Sequence, residues 1–127
     1  MELFNKVALV TGAGSGIGQA IALRFAKEGA YIIANDIDDE SAGETVKKLK
    51  AFGGHGLPYQ ADVSIRDQVY SMIEEGIRRF QKIDILVNNA GIGGSSILVK
   101  DLPAEMWDRV MAVNLKGAFY CCQAVIP

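Results

Sequence analysis

Apolar residues fall along this chain in two rhythms that take turns. Residues 6–12 and Tyr31–Asp36 are short runs rich in branched and aliphatic side chains with no polar alternation, which predicts strands buried on both faces. Residues 55–63 form a weaker third run, where Pro58 points to an edge strand, and residues 83–91 form a fourth that ends in a polar, glycine-closed loop. Between these runs the spacing changes to that of a helix. Ile17, Ile21 and Phe25 recur at four-residue steps before Gly29, and Val46 and Leu49 mark a Lys/Glu-rich helix over 38–52 closed by Gly53 and Gly54. Val69, Ile73, Ile77 and Phe80 stripe a third helix, entered through Ser64 with Asp67 three positions on, a capping box with Asp in place of Glu. Residues 93–100 read as loop, and a last helix runs from 103–106, with a bend, to Ala124. The order βαβαβαβα predicts a parallel sheet flanked by helices through right-handed crossovers.

Length allows one domain, residues 1–127, with a core that needs neither disulfide nor metal. Hydrophobic residues make up 50% and charged residues 22%, slightly apolar for a small free-standing domain, which leaves some apolar surface for a partner. The formal net charge is −2 with no basic cluster, which argues against a nucleic-acid ligand. Cys121 and Cys122 are adjacent, which suits neither an ordinary disulfide nor a zinc site. They are expected to be reduced packing residues, a redox thiol being the alternative, and no metal site is expected. The apolar run before Thr11 is too short for a secretory or membrane segment, so a cytoplasmic protein with no membrane association is expected.

The glycines at 12, 14, 16 and 18 stand between the first strand and the first helix. In that place Gly12, Gly16 and Gly18 allow a tight turn and bring backbone N–H groups near a pyrophosphate, which the helix N-terminus also attracts. Ser15 offers a hydroxyl. A plain glycine turn is the competing reading, and the position after a buried strand argues against it. Asp36 closes the second strand eighteen residues after Gly18. A carboxylate there accepts hydrogen bonds from ribose hydroxyls and repels a 2′-phosphate, which selects NAD over NADP; a solvated acid at a strand end is the alternative. Asp38 and Asp39 reinforce the NAD reading, and no Arg lies nearby to receive a phosphate.

Together with this loop and Asp36, the pairs and motifs Asp62-Val63, Asn88-Asn-Ala-Gly91 and Val113-Asn-Leu-Lys-Gly117 resemble the short-chain dehydrogenase/reductase family over essentially the whole chain. The resemblance implies an NAD-binding Rossmann-type three-layer βαβ sandwich with strand order 3-2-1-4, ending before a fifth strand. It implies that Ile17 and Ile37 contact the cofactor, that Asp62 and Val63 meet the adenine, and that Asn89, Ala90 and Gly91 line the cofactor while steadying the sheet. Asn114 would hold a water in a proton relay; a kink or local hydrogen bond is the reading from its residue type alone. The intact form would move a hydride between NAD(H) and an alcohol or carbonyl, the alternative being an inactive dinucleotide-binding or self-associating module. The family's serine and Tyr-x-x-x-Lys are not found: Asn35, Val63, Glu74 and Ala124 stand four positions after the four tyrosines. The chain alone is therefore expected to be inactive, since positioned proton transfer contributes about 10²- to 10⁴-fold. His55 precedes the third strand, at the wrong end of the sheet to substitute. An exposed fourth strand and an apolar face around Val113, Phe119 and Val125 predict a homo-oligomer.

Overall fold

The computed structural model describes residues 1–93 and 97–126. Strands β1 (Val7–Val10), β2 (Tyr31–Asp36), β3 (His55–Gln60) and β4 (Ile85–Val87) form one sheet in the order β3-β2-β1-β4. All neighbours run parallel, with Val7 opposite Tyr31, Tyr31 opposite His55 and Ala8 opposite Ile85. Parallel strands need long crossovers, which helices α1 (Gly16–Lys27), α2 (Asp39–Ala51) and α3 (Arg66–Phe80) supply. After β4 come a 3₁₀ turn at Val99–Asp101, helix α4 (Ala104–Met111), a π-helical turn at Ala112–Lys116 and helix α5 (Gly117–Val125).

The central strand explains the unbroken apolar runs. Val7 and Leu9 of β1 pack with Ile33, Met72, Ile73 and Cys121 in the core against α3 and α5. Ala8 and Val10, pointing the other way, pack with Ala22, Ile32, Val46 and Leu49 against α1 and α2. A strand between two cores has no solvent face, so every position is apolar. Each fully buried aliphatic side chain such as Leu9 contributes roughly 1.5–3 kcal/mol. The three-layer sandwich and the order 3-2-1-4 are as the family resemblance implies, and β3, which carries Pro58, is an edge strand as the sequence predicts.

Four details differ from expectation. Helix α1 meets the sheet through Gly18, Ala22 and Ala26, whereas Ile17 is 73% exposed, because small residues let the helix backbone approach the strands closely. Strand β3 ends at Gln60 and not at Val63, since β2 ends opposite it at Asp36. Ser64 does not cap α3: its hydroxyl donates to Asp62 Oδ1 at 2.6 Å, and the N-cap residue Ile65 offers no polar side chain. The last helix is interrupted by the π turn, whose wider winding changes the phase. Val113 is consequently buried and Val125 packs against the core, while Phe119 stays exposed together with Trp107 and Leu115. Of the loop expected over 93–100, residues 94–96 lie outside the described residues.

Candidate functional site

The chain passes from β1 outward to β2 and β3, then crosses back to place β4 on the other side of β1. Loops leaving the carboxyl ends of β1 and β4 therefore part in opposite directions and leave a crevice, the usual ligand position in an open α/β sheet. A cleft of about 290 Å³ lies there. Gly12 and Ser15 line it from the first loop, and Asp36 and Ile37 from the end of β2. Asp62 and Val63 follow β3, and Asn89, Ala90 and Gly91 follow β4. Nine residues singled out in the sequence thus meet in one cavity. Gly16 and Ile17 sit exposed at the tip of the loop, and Gly18 is buried beneath it.

The loop has the shape that its glycines permit. Gly12 has φ +63°, and a Cβ on it would stand 2.9 Å from Ala90 Cα. A Cβ on Gly18 would run into the Gly12 carbonyl oxygen and the Asn89 amide. Gly16 is different: φ is +55°, yet nothing occupies the space where its side chain would be. Ser15 is the N-cap of α1 but makes no side-chain capping bond, and the first turn holds no acid. By contrast, α2 is capped by Asp38, whose carboxylate accepts from Glu40 N, and its first turn carries Asp39 and Glu40. No side chain of α1 itself therefore caps or neutralises the partial positive charge of its terminus, which can receive an anion. Asp38, counted above among the acids favouring NAD, is engaged in this cap.

Asp36 faces the loop. Its Oδ2 accepts from Gly14 N at 2.9 Å and its Oδ1 from Asp38 N at 3.0 Å. Each oxygen keeps an acceptor position for a further donor. Gly14 is indispensable to this arrangement, because a Cβ there would lie 2.7 Å from Asp36 Oδ2 and 2.5 Å from Ser41 Cβ.

Three polar residues that the sequence did not single out fix the cleft. The Thr11 hydroxyl, at the end of β1, accepts from Asn89 N at 3.0 Å and Ala90 N at 2.9 Å. The Asn89 amide answers by donating to the Thr11 and Gly12 carbonyls, both at 3.1 Å, so the loops after β1 and β4 are stitched in both directions. Asn35, buried within β2, donates to the carbonyls of Tyr59 and Ala61 and holds the start of the Ala61-Asp62-Val63 segment. Thr45, from α2, donates to Ala13 O at 2.8 Å and ties down the glycine loop. A hydrophilic residue inside an otherwise apolar run is the signal that would have found Asn35 and Thr11.

Asp62 forms the polar corner of the cleft. Its Oδ1 accepts from Ser64 N and Oγ, and its Oδ2 pairs with Arg109 of α4 at 3.1 Å. Partial burial pushes its pKa up, but the Ser64 hydroxyl and N–H and the Arg109 guanidinium outweigh that and hold the carboxyl below its ordinary value. Asn114, in the π turn, does not line this cleft. Its side chain pairs with the Ile92 backbone in both directions, Ile92 N to Oδ1 at 2.8 Å and Nδ2 to Ile92 O at 2.9 Å, and so anchors the segment after Gly91. Single π turns recur at functional sites, where they leave main-chain carbonyls without regular partners.

The remaining candidates lie elsewhere. His55 stands at the opposite end of the sheet, its ring 5.0 Å from that of Tyr31. Both cysteines are free; burial, and then the neighbouring Cys122, push the Cys121 thiol up to about 11, which keeps it protonated and unreactive at neutral pH. Among the described residues no group of metal-ligating side chains comes together, and no helix is long and apolar enough to cross a membrane.

Comparison with known proteins decides the family, since residues 6–127 match the short chain dehydrogenase family. The chain belongs to it. A 3-oxoacyl-[acyl-carrier-protein] reductase of Thermotoga maritima is 46% identical over 127 residues, covering all of this chain and 51% of that protein. A (2S)-[(R)-hydroxy(phenyl)methyl]succinyl-CoA dehydrogenase subunit of Thauera aromatica is 46% identical over 98% of this chain and 50% of its own length. Among solved structures, an NAD⁺-bound xylitol dehydrogenase superposes with a TM-score of 0.95 at 38% identity, over 98% of this chain and 48% of that one. A 3-ketoacyl-(acyl-carrier-protein) reductase of Brucella melitensis complexed with NADH gives 0.94 at 39% identity, over 98% and 50%. The chain spans about half the length of these short-chain dehydrogenase relatives and corresponds to their N-terminal, nucleotide-binding half. A dinucleotide-binding role follows for the family fold it shares with them.

Proposed function

We propose that residues 1–127 act as one NAD-binding domain, with the dinucleotide laid across the crevice between the loops after β1 and β4. The pyrophosphate rests on the uncapped N-terminus of α1 beside Ser15, Gly16 and Ile17. Gly12 and Gly18 keep the turn tight beneath it. The adenosine ribose lies against Asp36 and the base between Ile37 and the Asp62-Val63 segment. Asn89, Ala90 and Gly91 line the path toward the nicotinamide, whose ring would accept a hydride in the oxidised cofactor or give one up in the reduced cofactor. The observation that carries this reading is the Asp36 carboxylate, held by Gly14 N beside an anion-receptive helix terminus with acceptor capacity to spare. A second phosphate on the ribose would meet that negative charge, so NAD is favoured over NADP.

Binding without turnover is the activity proposed for these 127 residues, because none of their tyrosines is followed by a lysine at the fourth position. The similarity to reductases and dehydrogenases about twice as long favours a second reading for a longer form: hydride transfer between NAD(H) and an alcohol or carbonyl, with Asn114 positioning a water for the proton. Isothermal titration against NAD and NADP, alongside nicotinamide absorbance with an alcohol present, separates the two. Heat with NAD, less with NADP and no absorbance change is the expected result. No heat with either dinucleotide overturns the binding reading, and turnover by the pure chain overturns the expectation of inactivity.

A further inference from the structure

Helix α4 reaches the cleft through one side chain. It buries none of its own residues, and Arg109 lies on the cleft wall beside Asp62 and Val113. The Arg109 guanidinium spans two acceptors, donating through one terminal nitrogen to Ser64 Oγ at 2.9 Å and through the other to Asp62 Oδ2 at 3.1 Å. The Ser64 hydroxyl in turn donates its own hydrogen bond to Asp62 Oδ1. Three side chains from two segments, the stretch after β3 and helix α4, thereby close a ring, and the direction of every bond in it is fixed by what each group is able to donate.

The acceptor count of Asp62 decides what the ring does. Oδ1 is filled by the N–H and O–H of Ser64, whereas Oδ2 receives only the arginine and keeps one lone pair. Asp62 lines the cleft and its side chain is 17% exposed, which puts that remaining acceptor within reach of a ligand bound there. With the ribose at Asp36, the base attached to it must extend away from the glycine loop, into the end of the cleft bounded by Ile37, Ala61, Asp62, Val63, Arg109 and Val113. A carboxylate oxygen with one open position there welcomes an N–H donor on the base and repels a carbonyl oxygen.

We propose that Arg109 is a positioning residue for base recognition: by fixing the Asp62 carboxylate it sets how strongly the site distinguishes a 6-amino purine from a 6-oxo purine. This rests on the dinucleotide reading above. Arginine suits the task because its planar fork holds two oxygens in a set geometry, which a lysine ammonium does not. Its side chain is 44% exposed, so the ring's effect on affinity is discounted from that of a buried pair.

The test compares NAD with nicotinamide hypoxanthine dinucleotide, in which a carbonyl oxygen replaces the 6-amino group and N1 gains a hydrogen, by calorimetric titration of the 127-residue chain. The parent chain is expected to prefer NAD. Arg109→Ala is expected to shrink that preference about three- to tenfold, the loss of one charge-assisted hydrogen bond, mainly by weakening NAD binding. Arg109→Lys keeps the charge without the fork and is expected to fall between, which also covers the case where Arg109→Ala does not fold. Equal binding of both dinucleotides by the parent chain overturns the proposal and leaves the dinucleotide reading standing. Equal weakening of both ligands in either variant reduces Arg109 to a structural tie and also overturns it. Failure of the parent to bind NAD at all removes the dinucleotide reading itself.

Discussion

Gly18→Ala and Gly16→Ala place the same methyl group two residues apart in one loop, and the structure predicts different consequences. At Gly18 the new Cβ meets the Gly12 carbonyl oxygen, which does not yield easily, because Asn89 Nδ2 holds it at 3.1 Å and Gly12 itself has Ala90 Cα against it. The loop after β1 and the loop after β4 must separate. Overpacking of this kind costs about 1–3 kcal/mol. Straining the Asn89 amide bonds adds a further ~1–3 kcal/mol, and the better helix propensity of Ala returns up to ~1 kcal/mol. A net loss of about 2–4 kcal/mol is expected. At Gly16 no atom is displaced, and only the left-handed backbone opposes a side chain, at about 1–2 kcal/mol, partly offset by the stiffer unfolded chain. Urea denaturation reads the difference directly. With a slope near ~2 kcal/mol per molar, the midpoint falls by about 1–2 M for Gly18→Ala and about 0.5 M for Gly16→Ala. Equal midpoints for the two variants would show that the stitch between the loops is soft and refute the reasoning.

Thr11→Val removes the acceptor that serves Asn89 N and Ala90 N; a stability loss of about 1–3 kcal/mol is expected by denaturation, restored by Thr11→Ser, and a valine variant as stable as the parent would contradict this. Asp36→Ala should narrow the preference for NAD over NADP in paired titrations, and an unchanged ratio removes Asp36 from its assigned role. Because the folded Asp62 carboxyl lies below its ordinary value of 3.8, its contribution to stability is present above that pH and is lost as pH falls through the lower folded value. Asp62→Asn should therefore flatten the acid limb of the stability curve below about pH 4, and superimposable acid limbs for the two proteins count against it. The outer edge of β4, unpaired among the described residues, and the exposed Trp107, Leu115 and Phe119 predict self-association, so a light-scattering mass of one chain at micromolar concentration is the contrary result.

Much of this architecture could be read from the sequence because parallel sheets impose a severe rule. Tyr31–Asp36 was delimited to the residue, since a strand covered on both sides is apolar until it emerges, and the acid that ends it is also the acid that faces the glycine loop. Periodicity in α1 found the helix but not its phase: Ile17 has the bulk expected of a core residue, yet close approach to the sheet selected Gly18, Ala22 and Ala26 instead. The site was legible where a residue acts through its own type and position, as with Asp36 or Gly12. It was not legible where the role depends on a distant partner. Thr11 and Asn89 stand 78 positions apart, and Arg109 and Asp62 stand 47 apart, with nothing local to either that names the other. Gly14 was passed over because its requirement comes from Ser41 and Asp36, not from the turn.

The π turn at Ala112–Lys116 takes up one residue more than an α-helical turn over the same arc. Losing one residue there would let an ordinary α-helix close up with its downstream phase nearly kept, because the residue removed accounts for about the 100° that the wider winding gives back. Gly117, which lets α5 press on Val63, and Cys121, which fills the core, would both keep facing their neighbours. A single-codon deletion in this segment should thus spare the packing of α5 and fall instead on the tie between Asn114 and Ile92, whereas the same deletion inside α5 would turn Cys121 out of the core.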